Sequence, residues 1–207
     1  MANIMDKFTA LLEEKLMPVA AKVANQRHLA AIKDGIIVTL PFIIAGSAFL
    51  ILANLPIPAI MNFYATPTGQ IIQKWLSYPV AVTFDMIAVI TCLGVAYRLS
   101  ESYKLDGISG AILGLVSFML VTPFTISFNH EQYGELTASG IPTGLMGSAG
   151  LFVAIIMAIM STEIFNFVVK KNLVIKMPDM VPPAVSKSFA ALIPGFFIIS
   201  AALVVRV

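Results

Sequence analysis

Five long, nearly uncharged apolar runs divide this chain, at 35–53, 80–97, 107–128, 147–169 and 189–205. A helix needs about 20 apolar residues to cross roughly 30 Å of hydrocarbon. Four of the runs are long enough, and the last is near the lower limit. Only 12% of the chain is charged and 58% is hydrophobic, whereas a soluble domain carries about 25% charged residues. The pattern predicts an all-α polytopic membrane protein with five transmembrane helices.

If each run spans the bilayer, the segments between them alternate sides. Lys7, Lys15, Lys22, Arg27 and Lys33 then share one side with Arg98, Lys104, Lys170, Lys171, Lys176 and Lys187. Only Lys74 and Arg206 fall on the other. Cytoplasmic segments retain Lys and Arg because positive charge resists translocation, so the amino terminus is predicted to be cytoplasmic. The basic residues form no patch with interleaved aromatics, which excludes a nucleic-acid partner. Residues 1–34 are charged throughout, unlike a secretory signal.

That leader, 1–34, reads as an amphipathic cytoplasmic helix, and 35–207 as the five-helix membrane unit. Ile4, Phe8, Leu11, Leu12, Leu16, Val19 and Val23 recur at steps of three or four, which places them on one face. Pro18 removes a backbone donor and predicts a kink. The apolar face suits an interfacial position on the bilayer. Trp75 and Tyr78, and Tyr97 and Tyr103, mark the two ends of the second span, because such rings favour the headgroup layer. The outer connections 54–79 and 129–146 are long and rich in Gly, Pro, Asn and Thr, and partial re-entry into the membrane stays open for both. Gly107, Gly110, Gly114, Gly144, Gly147 and Gly150 predict close helix packing. Pro41 and Pro194 each leave a carbonyl that neighbouring helices or a cavity must cover.

Two acids lie within spans, Asp85 and Glu163. A carboxylate at the centre of a membrane helix costs roughly 2.5–3.5 kcal/mol and should not face lipid. Each has two readings, structural hydrogen bonding or handling of substrate or protons. Glu163, about two turns before Lys170, could also meet a cation at the inner surface. Cys92 has no electropositive, exposed setting and reads as a packing residue. His28 and His130 lack a second ligand at metal spacing and read as surface residues. Neither a catalytic residue, a metal site nor a cofactor site is identified.

The most distinctive stretch is 171–196, KNLVIKMPDMVPPAVSKSFAALIPGF. Met177-Pro178-Asp179 predicts a turn, and Pro182-Pro183 ends one element and presets the next. This stretch closely resembles the cytoplasmic loop of the membrane-embedded IIC component of the bacterial phosphoenolpyruvate-dependent sugar phosphotransferase system, in its lactose/cellobiose/diacetylchitobiose branch. IKDGIIVTLPFIIAGSAFLIL at 32–52 and GLFVAIIMAIMSTEIF at 150–165 are similar to the same family. The resemblance implies a sugar permease that translocates a β-linked disaccharide while a soluble, phosphorylated IIB protein phosphorylates it. It also implies a homodimer in the bacterial cell membrane. Lys171, Lys176, Pro178, Asp179, Pro182 and Pro183 would then lie near the IIB partner. In that picture the five spans resemble the first, scaffold-forming half of a IIC domain, so the chain reads as a half that is inactive alone. Two rival readings stay open: a non-transporting scaffold that pairs with a separately encoded half, and an ion- or proton-coupled carrier using Asp85 and Glu163.

Overall fold

The computed structural model describes Glu14, Met17 and residues 25–130, 133–178 and 180–207. The amphipathic pattern over the leader, with its Pro18 kink, lies almost wholly outside the described residues. Helix is continuous in direction from Arg27, earlier than the first apolar run: α1 (Arg27–Ile37) and α2 (Leu40–Ala53) form one 27-residue path. Pro41 explains the break between them, since it has no N–H and its ring crowds the carbonyl four residues back. Thr39 compensates by donating its hydroxyl to the Ile36 carbonyl at 2.7 Å.

The stretch 54–79, which the apolar runs leave as a connection, is mostly helical. It holds α3 (Pro58–Tyr64) and the start of α4 (Pro67–Phe84). Both begin with proline at the first helical position, where its fixed φ is an advantage, and Thr66 caps α4 by accepting from the Gly69 N–H at 3.1 Å. Gln70, Gln73, Lys74 and Ser77 lower the hydropathy of this helix and obscure it from an apolar-run reading. Beyond a break at Asp85 and Met86 the path continues as α5 (Ile87–Ser102). The Ala88 N–H, orphaned at that break, donates to the Met146 carbonyl at 2.9 Å.

The third span is shorter than expected. α6 (Gly107–Val121) has 15 residues and stops ahead of Pro123. The rest of that apolar run enters an antiparallel hairpin, β1 (Thr125–His130) with β2 (Gly134–Ser139), paired from Thr125↔Ser139 to His130↔Gly134. This hairpin is the one departure from an all-α fold among the described residues. Two 3-10 turns, Thr143–Leu145 and Ser148–Gly150, lead into α7 (Leu151–Lys170). The chain closes with α8 (Pro183–Ala190) and α9 (Leu192–Arg206). Among the described residues four helical paths are long and apolar enough to cross a membrane, and α6 is the shorter fifth. The short crossing is thus the third and not the last, because Pro123 truncates it while α8 lengthens the last.

α5 is central, packed on α1, α6 and α7, and α9 closes over α6 and α7. Its core mixes small side chains with a few large ones: Ala88, Cys92, Ala96, Ala154, Ala158 and Ala202 are fully buried, as are Leu99, Phe118, Met157 and Ile198. Many other large apolar side chains point outward, with Ile44, Phe152, Phe196 and Val204 68–78% exposed. Small residues at the helix contacts and exposed bulky apolar ones suit a lipid solvent, where close van der Waals packing replaces hydrophobic burial. α1 and α5 touch backbone to backbone: a Cβ added at Gly94 would lie 2.6 Å from the Gly35 carbonyl oxygen. Gly110 and Gly114 face Ser100 and Ala96 of α5, the close packing that their sequence predicts. Gly144 has nothing within 4 Å and does not pack.

Candidate functional site

Asp85 sits at the α4–α5 break and not inside a helix. It is exposed and forms no ion pair among the described residues. Glu163 lies twelve residues into α7, about 18 Å from the start of that helix at 1.5 Å per residue. Gly147, just ahead of α7, is the neighbour of Asp85. The structure therefore keeps the two acids at opposite depths and does not join them in one site.

Glu163 anchors a polar cluster at the Lys/Arg-rich end. Its Oε1 accepts from His28 Nε2 at 2.9 Å and from the Tyr103 hydroxyl at 2.5 Å. His28, expected as a surface residue, instead ties α1 to α7 across 135 positions of sequence. The Tyr103 ring carries two cations, with Arg27 Cζ 4.4 Å and Lys170 Nζ 5.4 Å from its centroid. Partial burial, followed by its hydrogen bond to Glu163, pushes the Tyr103 phenol above its ordinary range.

Two helix ends on this face share one geometry. Lys104 and Asn172 adopt left-handed φ values of 62° and 55°. Leu105 N–H donates to Ser100 and Lys104 N–H to Glu101; Leu173 N–H donates to Val168 and Asn172 N–H to Val169. These are paired Schellman closures of α5 and α7, which satisfy the last carbonyls of each helix. The turn after Lys104 places Asp106 as the cap of α6, accepting from the Ser109 N–H at 2.9 Å and its hydroxyl at 2.8 Å. Lys187 of α8 pairs with the other Asp106 oxygen at 2.9 Å. The Lys187 ammonium holds the Asp106 carboxyl below its ordinary range, and the two Ser109 bonds add to this against the opposing effect of burial.

The Pro-rich loop runs between these two anchored points. Lys171 ends α7, with its Nζ 5.8 Å from the Phe167 ring centroid. Lys176 and Pro178 are exposed, and the Val181 N–H closes a turn onto the Pro178 carbonyl at 3.0 Å. Asp179 lies outside the described residues. Pro182 caps α8 and Pro183 is its first residue, as their sequence predicts. An open cleft of ≈ 410 Å³, lined by Glu101, Lys104, Asp106 and Lys187 among others, sits beside the Lys187 anchor. Its lining mixes two acids with two lysines.

Sequence reasoning singled out neither the His28–Tyr103–Glu163 contact nor the Asp106–Lys187 pair. Nothing local marks the first. The second had a visible half: Asp106 followed by Gly107, Ile108 and Ser109 is a helix-cap pattern ahead of an apolar run.

Comparison with known proteins adds to this geometry. The family described as "Phosphotransferase system, EIIC" matches residues 33–207. The cellobiose-specific EIIC component of Geobacillus stearothermophilus is 50% identical over 193 residues, covering 92% of this chain and 43% of that one. The lactose-specific EIICB component of Staphylococcus aureus (strain COL) is 30% identical over 191 residues, covering 92% of this chain and 32% of the relative. The crystal structure of ChbC, the IIC component of the N,N'-diacetylchitobiose-specific phosphotransferase system, superposes with a TM-score of 0.88 at 49% identity. It covers 95% of this chain and 46% of that one. The chain thus spans less than half the length of the relatives it matches.

Proposed function

The chain belongs to the EIIC family of the phosphotransferase system and is a multi-pass protein of the plasma membrane, and on that premise we propose that it forms the amino-terminal scaffold of a disaccharide permease. The substrate class is a β-linked disaccharide of the cellobiose, diacetylchitobiose or lactose type, taken from outside and released inside as its phosphate. The observation that carries this reading is the fold match to ChbC at 49% identity. The cellobiose-specific relative supports the same substrate class.

The phosphate donor is a phosphorylated IIB protein, with a homodimer of this chain as the membrane platform. The EIICB character of the lactose-specific relative supports a IIB partner. Lys104, Lys171, Lys176 and Lys187 give the face that would receive it a positive bias. Phosphorylation makes the sugar a dianion, which hydrocarbon retains on the inner side. Engagement of Glu163 by His28 and Tyr103, far from Asp85, favours this reading over a proton-coupled carrier built on the two acids.

Cellobiose and diacetylchitobiose uptake in cells lacking their own IIC tests the proposal. The chain alone should insert without uptake. Co-expression with the remaining part of the cellobiose-specific relative should restore sugar phosphate accumulation. Robust uptake by the 207-residue chain alone would overturn the scaffold assignment. Correct insertion with a partner half, a IIB protein and still no uptake would overturn the permease assignment.

A further inference from the structure

Arg27 is the first residue of α1, and the first turn of that helix contains no acidic side chain. A cation there opposes the positive end of the helix dipole, so the position is unfavourable without an anion nearby. The Tyr103 ring holds Arg27 together with Lys170, and Lys171 stands next to it over Phe167, an apolar ring that is 60% exposed. The neighbouring acids among the described residues have other partners. Glu163 accepts from His28 and Tyr103, Asp34 pairs with Lys33, and Glu101 pairs with Arg98. Among the described residues none of Arg27, Lys170 and Lys171 has a carboxylate within ion-pair distance. The negative end of α7 accounts in part for Lys170 and Lys171, whereas Arg27, at the positive end of α1, is held by Tyr103.

Three cations without a carboxylate partner among the described residues, beside an exposed aromatic ring at the end of a membrane helix, match a ligand with an anionic head and an apolar tail. We propose that Arg27, Lys170 and Lys171 bind the phosphate of an anionic phospholipid, with an acyl chain against Phe167. The Tyr103 ring preorganises two of the cations, and the lipid phosphate supplies the negative charge that α1 lacks at its start. Each cation near an anionic lipid surface is worth about fivefold in affinity.

Native mass spectrometry of the full chain, delipidated and then titrated with phosphatidylglycerol or phosphatidylcholine, tests this. Phosphatidylglycerol should be retained preferentially, and K171Q should weaken that retention by about fivefold. The double variant R27Q/K170Q should weaken it roughly 25-fold, and R27K/K170R should restore most of it. K176Q, on the same face but outside the cluster, should match the unaltered chain. Equal retention of phosphatidylcholine would overturn the proposal, as would full retention by a monodisperse R27Q/K170Q protein. Millimolar inorganic phosphate that displaces the lipid and stabilises the chain equally would assign the site to free phosphate instead. K171Q lies on an exposed surface, so its result stands even if the double variant fails to fold.

Discussion

Adding one methyl group where α1 crosses α5 should weaken the bundle at a place that carries no charge or polar contact. A Cβ on Gly35 would lie 2.5 Å from the Val95 nitrogen and 2.7 Å from its Cα, so backbone atoms stand in the way and no rotamer change relieves the clash. Overpacking of this kind costs up to about 3 kcal/mol. Alanine returns about 1 kcal/mol through its better helix propensity. Gly35→Ala should therefore destabilise by about 2 kcal/mol, roughly 4–8 °C in thermal midpoint for a chain of this size. The assay is heat-induced loss of the monodisperse peak in detergent. Gly144→Ala is the control, because nothing lies within 4 Å of a Cβ there and its φ is not positive; it should leave the midpoint within about 1 °C, in line with a surface change. Gly94→Ala meets the Gly35 carbonyl, so the double variant should lose less than the sum of the two single losses. A Gly35→Ala midpoint equal to or above that of Gly144→Ala would refute the backbone contact.

Two further outcomes follow from the Lys/Arg-rich face. Asp106→Ala removes the cap of α6 and should cost about 1 kcal/mol, with little added from Lys187, which is 62% exposed. The folded-state pKa of Asp106 is lowered, so its contribution is complete above the unfolded value of 3.8 and fades as pH falls below it. The stability gap between the unaltered chain and Asp106→Asn, measured by thermal midpoints from pH 7 down to pH 3, should accordingly close only at the acid end; a gap that closes near pH 6 would show another group at work. Glu163→Ala leaves His28 and Tyr103 without their shared acceptor and should cost roughly 1–2 kcal/mol after allowance for partial exposure. Limited trypsin digestion should then cut at Arg27 faster, whereas Glu163→Gln, which keeps an acceptor oxygen, should lie between; unchanged cleavage in both would sever the proposed tie between α1 and α7.

The membrane character, the family and the helical start at Pro183 were legible because each rests on local chemistry: apolar runs, a Pro-rich loop and the fixed φ of proline. The ends of the helices were less so. Hydropathy merged α6 with β1 into one run, although Pro123 stood between them, because Ile126 and Phe128 are as apolar as the helix they follow. It also passed over α4, whose Thr66-Pro67 start is a capping signal but whose Gln70, Gln73, Lys74 and Ser77 look like a loop. The polar cluster was not readable at all. His28, Tyr103 and Glu163 are separated by 60 to 135 positions, and only the crossing of α1, α5 and α7 brings them together.

α6 offers one more consequence. Fifteen residues rise only about 22 Å, some 8 Å less than the usual hydrocarbon layer. The hairpin that follows therefore starts beneath the headgroups unless the lipid layer thins around it. Exposed strand backbone at that depth is tolerable only beside protein or water. Bilayers of different thickness would thus act on this protein through one helix, pulling its outer rim up or drawing the surrounding lipid down.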